Sequence, residues 1–491
     1  MNAFLTAGVL RFANSFEQVV LVYFLVLNFV YFSLLLIGFF EMLMHRTQLD
    51  HREDFDALSS SEMVPPVSVL APAYNEEATV VESVRATLAL SYPEIELIVI
   101  NDGSSDRTLE LLCREFNLYR SSQYFEQPLP TKQIRGVYRS LEGIPLVVID
   151  KENGGKADAL NAGICCAKYP LICSADSDSL LEESALQRVV RPFLQYPGEV
   201  LAVGGLVRIA NGCRTAAGRV VDVNLPSSWL ARFQVVEYFR AFLGGRVAFS
   251  TLNCLIVISG AFGLFQREAV IAAGGYDTKT VGEDMELVVR IHRWARLQKK
   301  KYRIVFQPDP ICWTEAPESL RVLKRQRNRW QRGTLETLWK HRAILFRPSC
   351  GLLGCVALPY FLIFEGIGPL VELLGYIMTV LGVALGLFQP GIATLFFIAA
   401  VVNGIILSGA CVILEELSTR RYPRVAHLAL LLAAAVLENF GFRQLTTLWR
   451  AQAIWDFVKG NKSWGNMERR GFQPVAPAAQ PIIRSAALPP A

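Results

Sequence analysis

The feature that most constrains this chain is an uncharged apolar run near its start. Residues 19–40 contain no charged side chain. At about 1.5 Å per residue, a helix of this length crosses a hydrocarbon core of about 30 Å. The alternative, a helix buried in a protein core, is typical of shorter runs. The sequence therefore predicts a membrane-spanning helix over residues 17–43, preceded by a short N-terminal segment, 1–16.

A second apolar region covers residues 350–447. The whole chain is 52% hydrophobic and only 19% charged, whereas a soluble globular protein is about 25% charged. Residues between the two apolar regions carry ordinary charge density. Basic side chains are also more frequent after the first helix than before it, which places the following domain in the cytoplasm. We therefore expect a multi-pass protein of the inner or plasma membrane with a cytoplasmic catalytic domain.

The number of helices in the second apolar region depends on where the chain breaks. Splitting residues 352–388 near Gly366 and Pro369 gives about four helices, and this is the prediction for 350–447. Four crossings leave the basic residues near 420 outside, against the positive-inside tendency, and two crossings with interfacial segments would avoid this. Glu365, Glu372 and Glu438 are costly in lipid and should face protein, water or a polymer path.

Charge and cysteine content narrow the partners. The net charge is 49 − 44 = +5, and the basic residues cluster at 319–342 and 443–470, beside apolar segments. This distribution favours an anionic leaflet and an anionic substrate over nucleic acid. The ten cysteines form no C-x-x-C pair, which is typical of reduced packing residues and not of a metal cluster.

The segment between the apolar regions predicts an α/β domain. Apolar strand-like runs begin near residues 67, 96, 145 and 171, and helical patterns follow them. Such alternation indicates a mostly parallel sheet, which binds ligands at the carboxyl ends of its strands. No dinucleotide fingerprint follows a strand and no Walker sequence is present, which disfavours a dehydrogenase or a P-loop NTPase.

Acidic residues stand at the predicted strand ends. Asp176 and Asp178 form a D-x-D pair of the kind that binds Mg²⁺ or Mn²⁺, although a solvated strand end has the same appearance. Asp102 can accept hydrogen bonds from a base or ribose. Asp284, after Glu283, could serve as a general base, or could simply complement the dipole of a helix N-terminus.

A basic amphipathic stretch follows the predicted domain. Residues 316–346 suit an interfacial helix on a membrane. Within that stretch, Trp330 could also form a platform for a sugar ring, and Arg329 could lie near a leaving diphosphate. Both interpretations can hold together.

Six motifs in this order give a specific resemblance. They are APAYNEE (71–77), NDGSSD (101–106), GGKADALNAG (154–163), ADSD (175–178), GED (282–284) and QRNRW (326–330). This set resembles the membrane-embedded, processive family-2 glycosyltransferases, which include poly-N-acetylglucosamine, chitin, hyaluronan and cellulose synthases. The resemblance covers about residues 64–345 and implies a Rossmann-like GT-A domain over 64–315.

The resemblance also implies roles for individual residues. The nucleotide-binding set would comprise Ala71, Tyr74, Glu76, Asp102, Lys156, Asp176 and Asp178, with Asp178 as the metal ligand. The acceptor and catalytic set would comprise Asp284 as base, with Glu283, Gln326, Arg329 and Trp330. The turn 259–261 falls where the family places a loop beside the acceptor sugar. Asn101 departs from the acidic residue usual at its position.

The C-terminal residues carry a weaker resemblance. The SWG sequence at 463–465 looks like the gating segment of chitin and hyaluronan synthases, but the following Thr and basic residue are missing. Trp464 could equally anchor a helix end at the interface. We assign 448–470 as an interfacial or gating-like segment and 471–491, rich in Pro and Ala, as a disordered tail.

Three functions follow as hypotheses. The first is an inverting, metal-dependent synthase that transfers sugar from a UDP-sugar to a β-linked polysaccharide and exports it, with UDP-N-acetylglucosamine favoured and UDP-glucose as the alternative donor. The second is a transferase that adds one sugar to a lipid acceptor. The third, a catalytically silent scaffold, conflicts with the complete acidic set. The expected partners are the donor, a saccharide acceptor, the bilayer and accessory export subunits.

Overall fold

A computed structural model describes residues 2–49, 64–122, 125–177, 179–216, 218–384, 390–418, 421–422 and 424–460. Its first helix, α1, spans Asn2–Leu49. The part from Gln18 to His45 is long and apolar enough to cross a membrane, which agrees with the expected span. Residues 2–16 continue this helix. Phe29 is 73% exposed, so one face of α1 is available to lipid.

The α/β domain is built on one large sheet. Near-continuous apolar runs form the central strands because helices cover both faces; in β1 only one residue is not fully buried. The strands are β1 Val67–Ala73, β2 Ile95–Asp102, β3 Leu118–Ser121, β4 Ile134–Ser140, β5 Leu146–Lys151, β6 Leu171–Ala175, β7 Leu180–Leu181, β8 Val200–Ile209, β9 Arg214–Ala216, β10 Arg219–Asp222, β11 Phe262–Gln266 and β12 Arg303–Thr314.

Ten strands join in the order β3-β4-β5-β2-β1-β6-β11-β8-β12-β7, and β9 pairs with β10 separately. Strands β4, β11 and β7 run against the other seven. The four strands expected from sequence, β1, β2, β5 and β6, lie side by side and parallel. Their carboxyl ends therefore meet at one edge of the sheet. The prediction of a mostly parallel α/β domain is confirmed.

Helices connect these strands and cover the sheet. They are α2 Val80–Leu88, α3 Thr108–Glu115, α4 Lys156–Cys166, α5 Ala185–Val189, α6 Arg191–Gln195, α7 Trp229–Phe239, α8 Val247–Thr251, α9 Arg267–Ala272 and α10 Glu283–Leu297. A π-helical turn, Arg240–Arg246, joins α7 to α8. Helix α11, Leu320–Lys340, follows β12 and begins at Ser319, whose hydroxyl accepts from the N–H of Val322.

The apolar helices pack directly on this domain. They comprise α12 Leu358–Tyr360, α13 Gly368–Ala384, α14 Pro390–Phe397, α15 Asn403–Ser418, α16 Val425–Leu437 and α17 Phe442–Val458, with π-helical turns at Leu353–Ala357, Phe361–Ile367 and Ile398–Val402. Leu34 of α1, Leu358 of α12 and Leu414 of α15 belong to the same buried cluster as the sheet. The α/β domain and the apolar helices thus share one core.

The structure differs from the predicted four helices of the C-terminal bundle. The described residues after the α/β domain contain two long apolar spans, Leu353–Gly382 and Ile398–Ser418. Helices α16 and α17 form one further candidate, a pair bent by 56°. The expected split near Pro369 is absent, since Leu353–Gly382 is one helical span.

Side chains from other helices explain why Pro369 does not end the helix. Proline lacks an N–H, so the carbonyl of Glu365, four residues earlier, loses its helical donor. That carbonyl instead accepts from the side-chain amide of Gln331 at 2.7 Å and from the guanidinium of Arg450 at 2.8 Å. Polar side chains from α11 and α17 therefore satisfy the carbonyl that the proline leaves without a donor. Hydropathy alone does not reveal these contacts.

The basic segment near residue 420 lies beside the α/β domain. Arg421 contacts the carboxylate of Glu182 at 2.8 Å, and Arg424 contacts Asn224 at 2.7 Å. The segment 461–470, with Trp464, and the predicted tail 471–491 lie outside the described residues.

Candidate active site

The loops after β1 and β2 are tied together at the carboxyl ends of the parallel strands. We call the part of this region around Asp102 the nucleotide edge, because the sequence resemblance predicts nucleotide contacts there. Asn75, in a left-handed conformation with φ 57°, donates its N–H to the Ser104 hydroxyl at 3.0 Å and accepts from the N–H of Ser105 at 2.8 Å. The N–H of Glu76 donates to the Thr108 hydroxyl at 2.9 Å. These contacts fix both loops. Of the predicted nucleotide contacts nearby, Ala71 is buried in β1, Glu76 is half-buried, and Tyr74 is exposed.

Asp102, at the end of β2, organises the following loop. Its carboxylate accepts from the N–H groups of Gly154 and Gly155 at 3.0 and 2.8 Å, and it pairs with the ammonium of Lys151 at 2.7 Å. Lys151 is fully buried and also pairs with Asp158 at 2.5 Å. Asp102 thus positions the loop that leads to Lys156. Its predicted contact with the nucleotide stays a prediction.

The departure at Asn101 has a local partner. Its side-chain amide donates to the carboxylate of Asp150 at 2.8 Å, between the adjacent parallel strands β2 and β5. An amide here replaces a third buried carboxylate next to Asp102 and Asp150, where like charges would repel each other.

Lys156 begins α4 and faces the strand end of β6. Its ammonium contacts the carboxylate of Asp176 and the carbonyl of Gly260, the latter at 3.2 Å. Burial opposes the charge of Lys156, but the carboxylates of Asp176 and Glu283 outweigh this and raise its pKa. The predicted metal ligand Asp178 lies outside the described residues.

Asp284 lies in the first turn of α10, close to Lys156. One carboxylate oxygen accepts from the N–H of Gly260 at 3.1 Å, and the other accepts from the N–H of Met285 at 2.7 Å. Gly260 therefore contacts Lys156 through its carbonyl and Asp284 through its N–H. A Cβ at Gly260 would lie 3.0 Å from the Lys156 nitrogen, so a side chain there would crowd the site.

Glu283 is the most perturbed carboxyl of the site. It is buried, and desolvation raises its pKa to about 7, although Lys156 favours the charged form; the neighbouring charge of Asp284 adds to the increase. A carboxyl with this pKa exchanges a proton near neutral pH, which is typical of functional sites.

Helix α11 brings the QRNRW residues to the same cavity as Lys156 and Asp284. Gln326 is buried, and its side-chain carbonyl has no hydrogen-bond donor among the described residues. The indole of Trp330 lies over the guanidinium of Arg327 at 4.6 Å. The two terminal nitrogens of Arg327, Nη1 and Nη2, donate to the carboxylate of Glu237 at 2.6 and 2.7 Å. Glu237 and Arg327 thus set the orientation of Trp330, and sequence reasoning missed both.

A close backbone contact joins α11 to the GED loop. A Cβ on Gly333 would lie 2.7 Å from the Cα of Gly282, and the reverse distance is also 2.7 Å. Glu336, one turn further, accepts from the hydroxyl of Thr280 at 2.8 Å and from the N–H of Val281 at 2.9 Å. Sequence reasoning missed these residues, although Gly333 follows Trp330 at helical spacing.

One cavity of about 970 Å³ connects these groups to the apolar helices. Among its lining residues are Lys156, Asp176, Glu283, Asp284, Gln326, Arg329 and Trp330, together with Tyr31, Glu365, Glu372, Leu407 and Arg450 from the membrane-type helices. The predicted set therefore divides: these seven residues share the cavity, whereas Ala71, Tyr74, Glu76 and Asp102 lie at the strand-end loops beyond its lining.

The acidic residues of the apolar helices face protein or this cavity, as expected. Glu365 pairs with Arg450 at 2.7 Å, Glu372 accepts from the Thr447 hydroxyl at 2.8 Å, and Glu438 contacts Arg240. Each carboxylate therefore has an ion-pair or hydrogen-bond partner within the part of the chain that the structure describes.

Two families of known proteins match parts of this chain. The family described as Glycosyltransferase like family 2 matches residues 131–333, and the family described as Chitin synthase matches residues 280–470. The first match contains GGKADALNAG, ADSD, GED and QRNRW. The second begins at the GED loop and continues through α11 and the apolar helices.

Curated relatives agree with these families. The chain is 32% identical over 274 residues to poly-beta-1,6-N-acetyl-D-glucosamine synthase of Staphylococcus aureus (strain COL), covering 55% of each chain. It is 30% identical over 281 residues to the protein of the same name from Staphylococcus epidermidis, covering 57% of each. The alignments thus span about half the length of these relatives.

Solved structures give more distant likenesses. A mannosyltransferase from Pyrobaculum calidifontis, in complex with GDP-Man and Mn²⁺, matches with a TM-score of 0.48 and 16% identity over 89% of this chain and 100% of its own. Staphylococcus aureus TarS matches with a TM-score of 0.34 and 13% identity over 56% of this chain and 39% of its own. These scores carry no inference about activity. Residues 131–333, which include Lys156, Asp284 and Trp330 of this cavity, are therefore similar to the family-2 glycosyltransferases, and the mostly parallel α/β sheet agrees with the GT-A fold expected for that family.

Proposed function

We propose that this protein is an inverting polysaccharide synthase. It would transfer sugar from a UDP-sugar to a growing β-linked chain and pass that chain across the membrane. The observation that carries this proposal is the continuous cavity, because it joins Lys156 and Asp284 to Glu365 and Arg450 on the apolar helices. A single-addition enzyme needs no such path beyond its acceptor site.

Asp284 is the proposed general base. Two backbone N–H groups, from Gly260 and Met285, orient its carboxylate. An acceptor hydroxyl within hydrogen-bond reach would lose its proton to this carboxylate while its oxygen attacks the anomeric carbon. A single displacement converts an α-linked donor sugar into a β-glycoside, and the proton stays on Asp284 until it exchanges with solvent.

Positive charge around the leaving UDP comes from the chain itself. Lys156 and Arg329 both line the cavity. Both also favour the charged form of the Glu283 carboxyl. Fixed cations of this kind stabilise charge that develops on the leaving diphosphate. The Asp102 carboxylate holds the Gly154–Gly155 loop, and thereby sets the start of α4 from which Lys156 projects.

The donor set at β6 suits a divalent cation. The described residues contain no group of three or more His, Cys, Asp or Glu side chains that could hold a metal alone. Mg²⁺ and Mn²⁺ need fewer, because substrate phosphates and waters complete their coordination. Asp176 lines the cavity, and Asp178 follows two residues later in the sequence. We assign Asp178, assisted by Asp176, to a cation that would act as a Lewis acid on the diphosphate.

The names of the curated relatives support one choice of donor sugar. The matched proteins from two Staphylococcus species are named as synthases of a polymer of N-acetylglucosamine, which supports UDP-N-acetylglucosamine. UDP-glucose remains the alternative donor, and addition of one sugar to a lipid acceptor remains the alternative reaction.

The membrane setting completes the proposal. Among the residues that the structure describes, three helices are long and apolar enough to cross a membrane, or four if the bent pair is one span. We propose a multi-pass protein of the inner or plasma membrane whose α/β domain faces the cytoplasm, where UDP-sugars occur. Accessory export subunits remain a prediction.

UDP release by the purified full-length protein tests the proposal. The assay uses UDP-N-acetylglucosamine, UDP-glucose and further UDP-sugars, with Mg²⁺, Mn²⁺ or a chelator, and is followed by sizing of the product. We expect release to be fastest with UDP-N-acetylglucosamine, to require the cation, and to yield a polymer. A product carrying one added sugar on lipid would favour the alternative reaction, and no release from any donor would refute the assignment.

A further inference from the structure

Arg246 is a cation in the cavity that the proposed mechanism does not use. It ends the π-helical turn Arg240–Arg246 between α7 and α8, and its side chain lines the cavity. Its guanidinium lies 3.9 Å from the centroid of the Phe242 ring. π-Helical turns widen a helix locally and are frequent at functional sites. The wider turn directs Arg246 into the cavity.

Three other arginines of the cavity contact carboxylates directly, and among the described residues Arg246 makes no such contact. Arg240 contacts Glu438, Arg327 binds Glu237 at 2.6 Å, and Arg450 binds Glu365 at 2.7 Å. The Nη1 atom of Arg246 is buried and has no acceptor among the described residues. A buried charged donor without an acceptor destabilises the fold. The chain therefore retains an unfavourable cation where a ligand could satisfy it.

The surroundings of Arg246 separate it from the diphosphate. Burial lowers its pKa to about 10, while the charge of Asp284 and the Tyr238 hydroxyl oppose this shift; the guanidinium therefore stays charged at neutral pH. Lys156, in contrast, feels the charges of Asp176 and Glu283 as well as Asp284. Asp284, the proposed base, is therefore the one carboxylate that favours the charged form of both Arg246 and Lys156.

The same helix leads away from the base towards the apolar helices. A Cβ at Gly244, two residues before Arg246, would lie 3.6 Å from the sulfur of Cys411 in α15. Phe249, one turn after Arg246, packs on the Tyr360 ring at 5.1 Å between centroids. The Arg246 guanidinium therefore lies where a saccharide would extend from Asp284 towards the proposed exit.

We propose that Arg246 binds the acceptor saccharide, donating hydrogen bonds to a hydroxyl or N-acetyl carbonyl oxygen next to the attacking hydroxyl. This inference rests on the proposed synthase function and adds a binding residue to it. A hydrogen bond from a charged donor contributes about 1.5–3 kcal/mol. Phe242 supports the guanidinium plane from one side and leaves its N–H edge for the saccharide.

The test is Arg246→Met in the full-length protein, because methionine keeps the apolar stem and removes the charge. We measure the melting temperature in detergent, the KM for UDP-N-acetylglucosamine, the KM for an oligosaccharide primer of N-acetylglucosamine, and product length. We expect an equal or higher melting temperature, an unchanged donor KM, a primer KM raised about 10- to 100-fold, and shorter products. Arg342→Met is the matched control: Arg342 also stacks on an aromatic ring, Trp339, at 4.7 Å, but does not line the cavity.

Two results would overturn the inference. A clearly lower melting temperature, or failure to fold, would give Arg246 a structural role. A folded variant with wild-type primer KM and product length would show that Arg246 does not contact the acceptor. Wild-type protein that releases no UDP refutes the synthase function itself, and with it this inference, and is recognised without any variant.

Discussion

The two halves of the site, the nucleotide edge and the acceptor side formed by the cavity, are built by different means. At the nucleotide edge, Asp102 accepts from Gly154 and Gly155 and pairs with Lys151, so neighbouring strands and loops satisfy every one of these groups. On the acceptor side, Gln326 has a buried carbonyl oxygen and Arg246 a buried nitrogen without a partner among the described residues. The Asp102 carboxylate is fully engaged by the protein, whereas the acceptor side exposes groups that a ligand could satisfy.

This difference suits the two proposed ligands, a nucleotide and a growing saccharide. A nucleotide is one fixed shape that leaves after each transfer, so a rigid, preorganised loop lowers the cost of binding it. A growing saccharide must move on after each addition, and strong contacts at every point would hold it back. Unsatisfied polar groups spaced along a wide cavity can bind successive sugars in turn. The following experiments test the contrast, beginning with the largest expected effect.

Asp284→Asn should give the largest loss, because it removes the base where the two halves meet. General-base catalysis contributes about 10²–10⁴-fold, so we expect turnover, measured as UDP release, to fall about 10³-fold. UDP affinity, measured by titration calorimetry, should stay unchanged because the nucleotide edge is intact.

Asp277→Asn is the matched control for Asp284→Asn. Asp277 binds the ammonium of Lys340 at 2.6 Å and does not line the cavity, so most turnover should remain. Equal turnover in Asp284→Asn and wild-type protein would refute the base assignment. A loss of UDP affinity in that variant would refute the separation of the two halves.

Lys151→Met should destabilise the fold, in contrast to Arg246→Met. The ammonium of Lys151 pairs with Asp102 and Asp158, and all three are buried. Removing one partner of a buried ion pair typically costs about 3–5 kcal/mol. We expect a markedly lower melting temperature in detergent and loss of UDP binding.

Lys301→Met controls for the change of residue type. Lys301 is 77% exposed and pairs with Glu199 at the surface, so its loss should hardly change the melting temperature. If Lys151→Met were as stable as Lys301→Met, the nucleotide edge would not depend on its ion pairs. The contrast with the acceptor side would then fail.

Glu283→Gln tests the carboxyl that lies between the halves. Burial raises the pKa of Glu283 from 4.5 to about 7, so between these pH values the native state binds more protons than the unfolded chain. The free energy of unfolding contributed by Glu283 therefore falls as pH rises, by up to ~3 kcal/mol. Glutamine keeps the neutral shape at all pH values.

We expect Glu283→Gln and wild-type protein to melt alike near pH 4.5 and the variant to melt higher above pH 7. Melting curves in detergent across this range provide the measurement. Glu76→Gln, at the half-buried position on the nucleotide edge, serves as control and should show no comparable gain above pH 7. Parallel curves for Glu283→Gln and wild-type protein would mean that Glu283 titrates normally.

The nucleotide edge was the more predictable half. Asp102 and Asp176 lie at strand ends and Lys156 begins the helix after another strand. The parallel sheet that brings those strand ends together follows from short apolar runs within about 110 residues. What sequence could not supply was the bonding: Asp102 was expected at the nucleotide, and the structure shows its oxygens engaged by Lys151 and the glycine loop.

The acceptor side depends on contacts between distant segments, which no local pattern encodes. Gln331 and Arg450 saturate the carbonyl of Glu365, so the proline that predicted a helix end lies within one helical span. Glu237 and Arg327, 90 residues apart, position Trp330. Such pairs become visible only when α7, α11 and α17 are packed together.

Gly333→Ala should give a smaller effect, at the joint between the catalytic loop and α11. The new Cβ would lie 2.7 Å from the Cα of Gly282, and backbone on both sides leaves no flexible atom to yield. Overpacking of this kind typically costs about 1–3 kcal/mol. Because α11 would move away from Asp284, we expect a lower kcat and a lower melting temperature, with UDP affinity retained.

Gly409→Ala separates this clash from the general effect of alanine in a helix. Gly409 lies in α15, and a Cβ there would have no atom within 4 Å, so alanine should be neutral or slightly stabilising. If Gly333→Ala behaved like Gly409→Ala, the contact between α11 and the GED loop would accommodate a methyl group without a loss of activity or stability. A loss of kcat with unchanged UDP affinity would instead show that the acceptor side is set by how closely α11 packs on the GED loop, while the nucleotide edge keeps its own geometry.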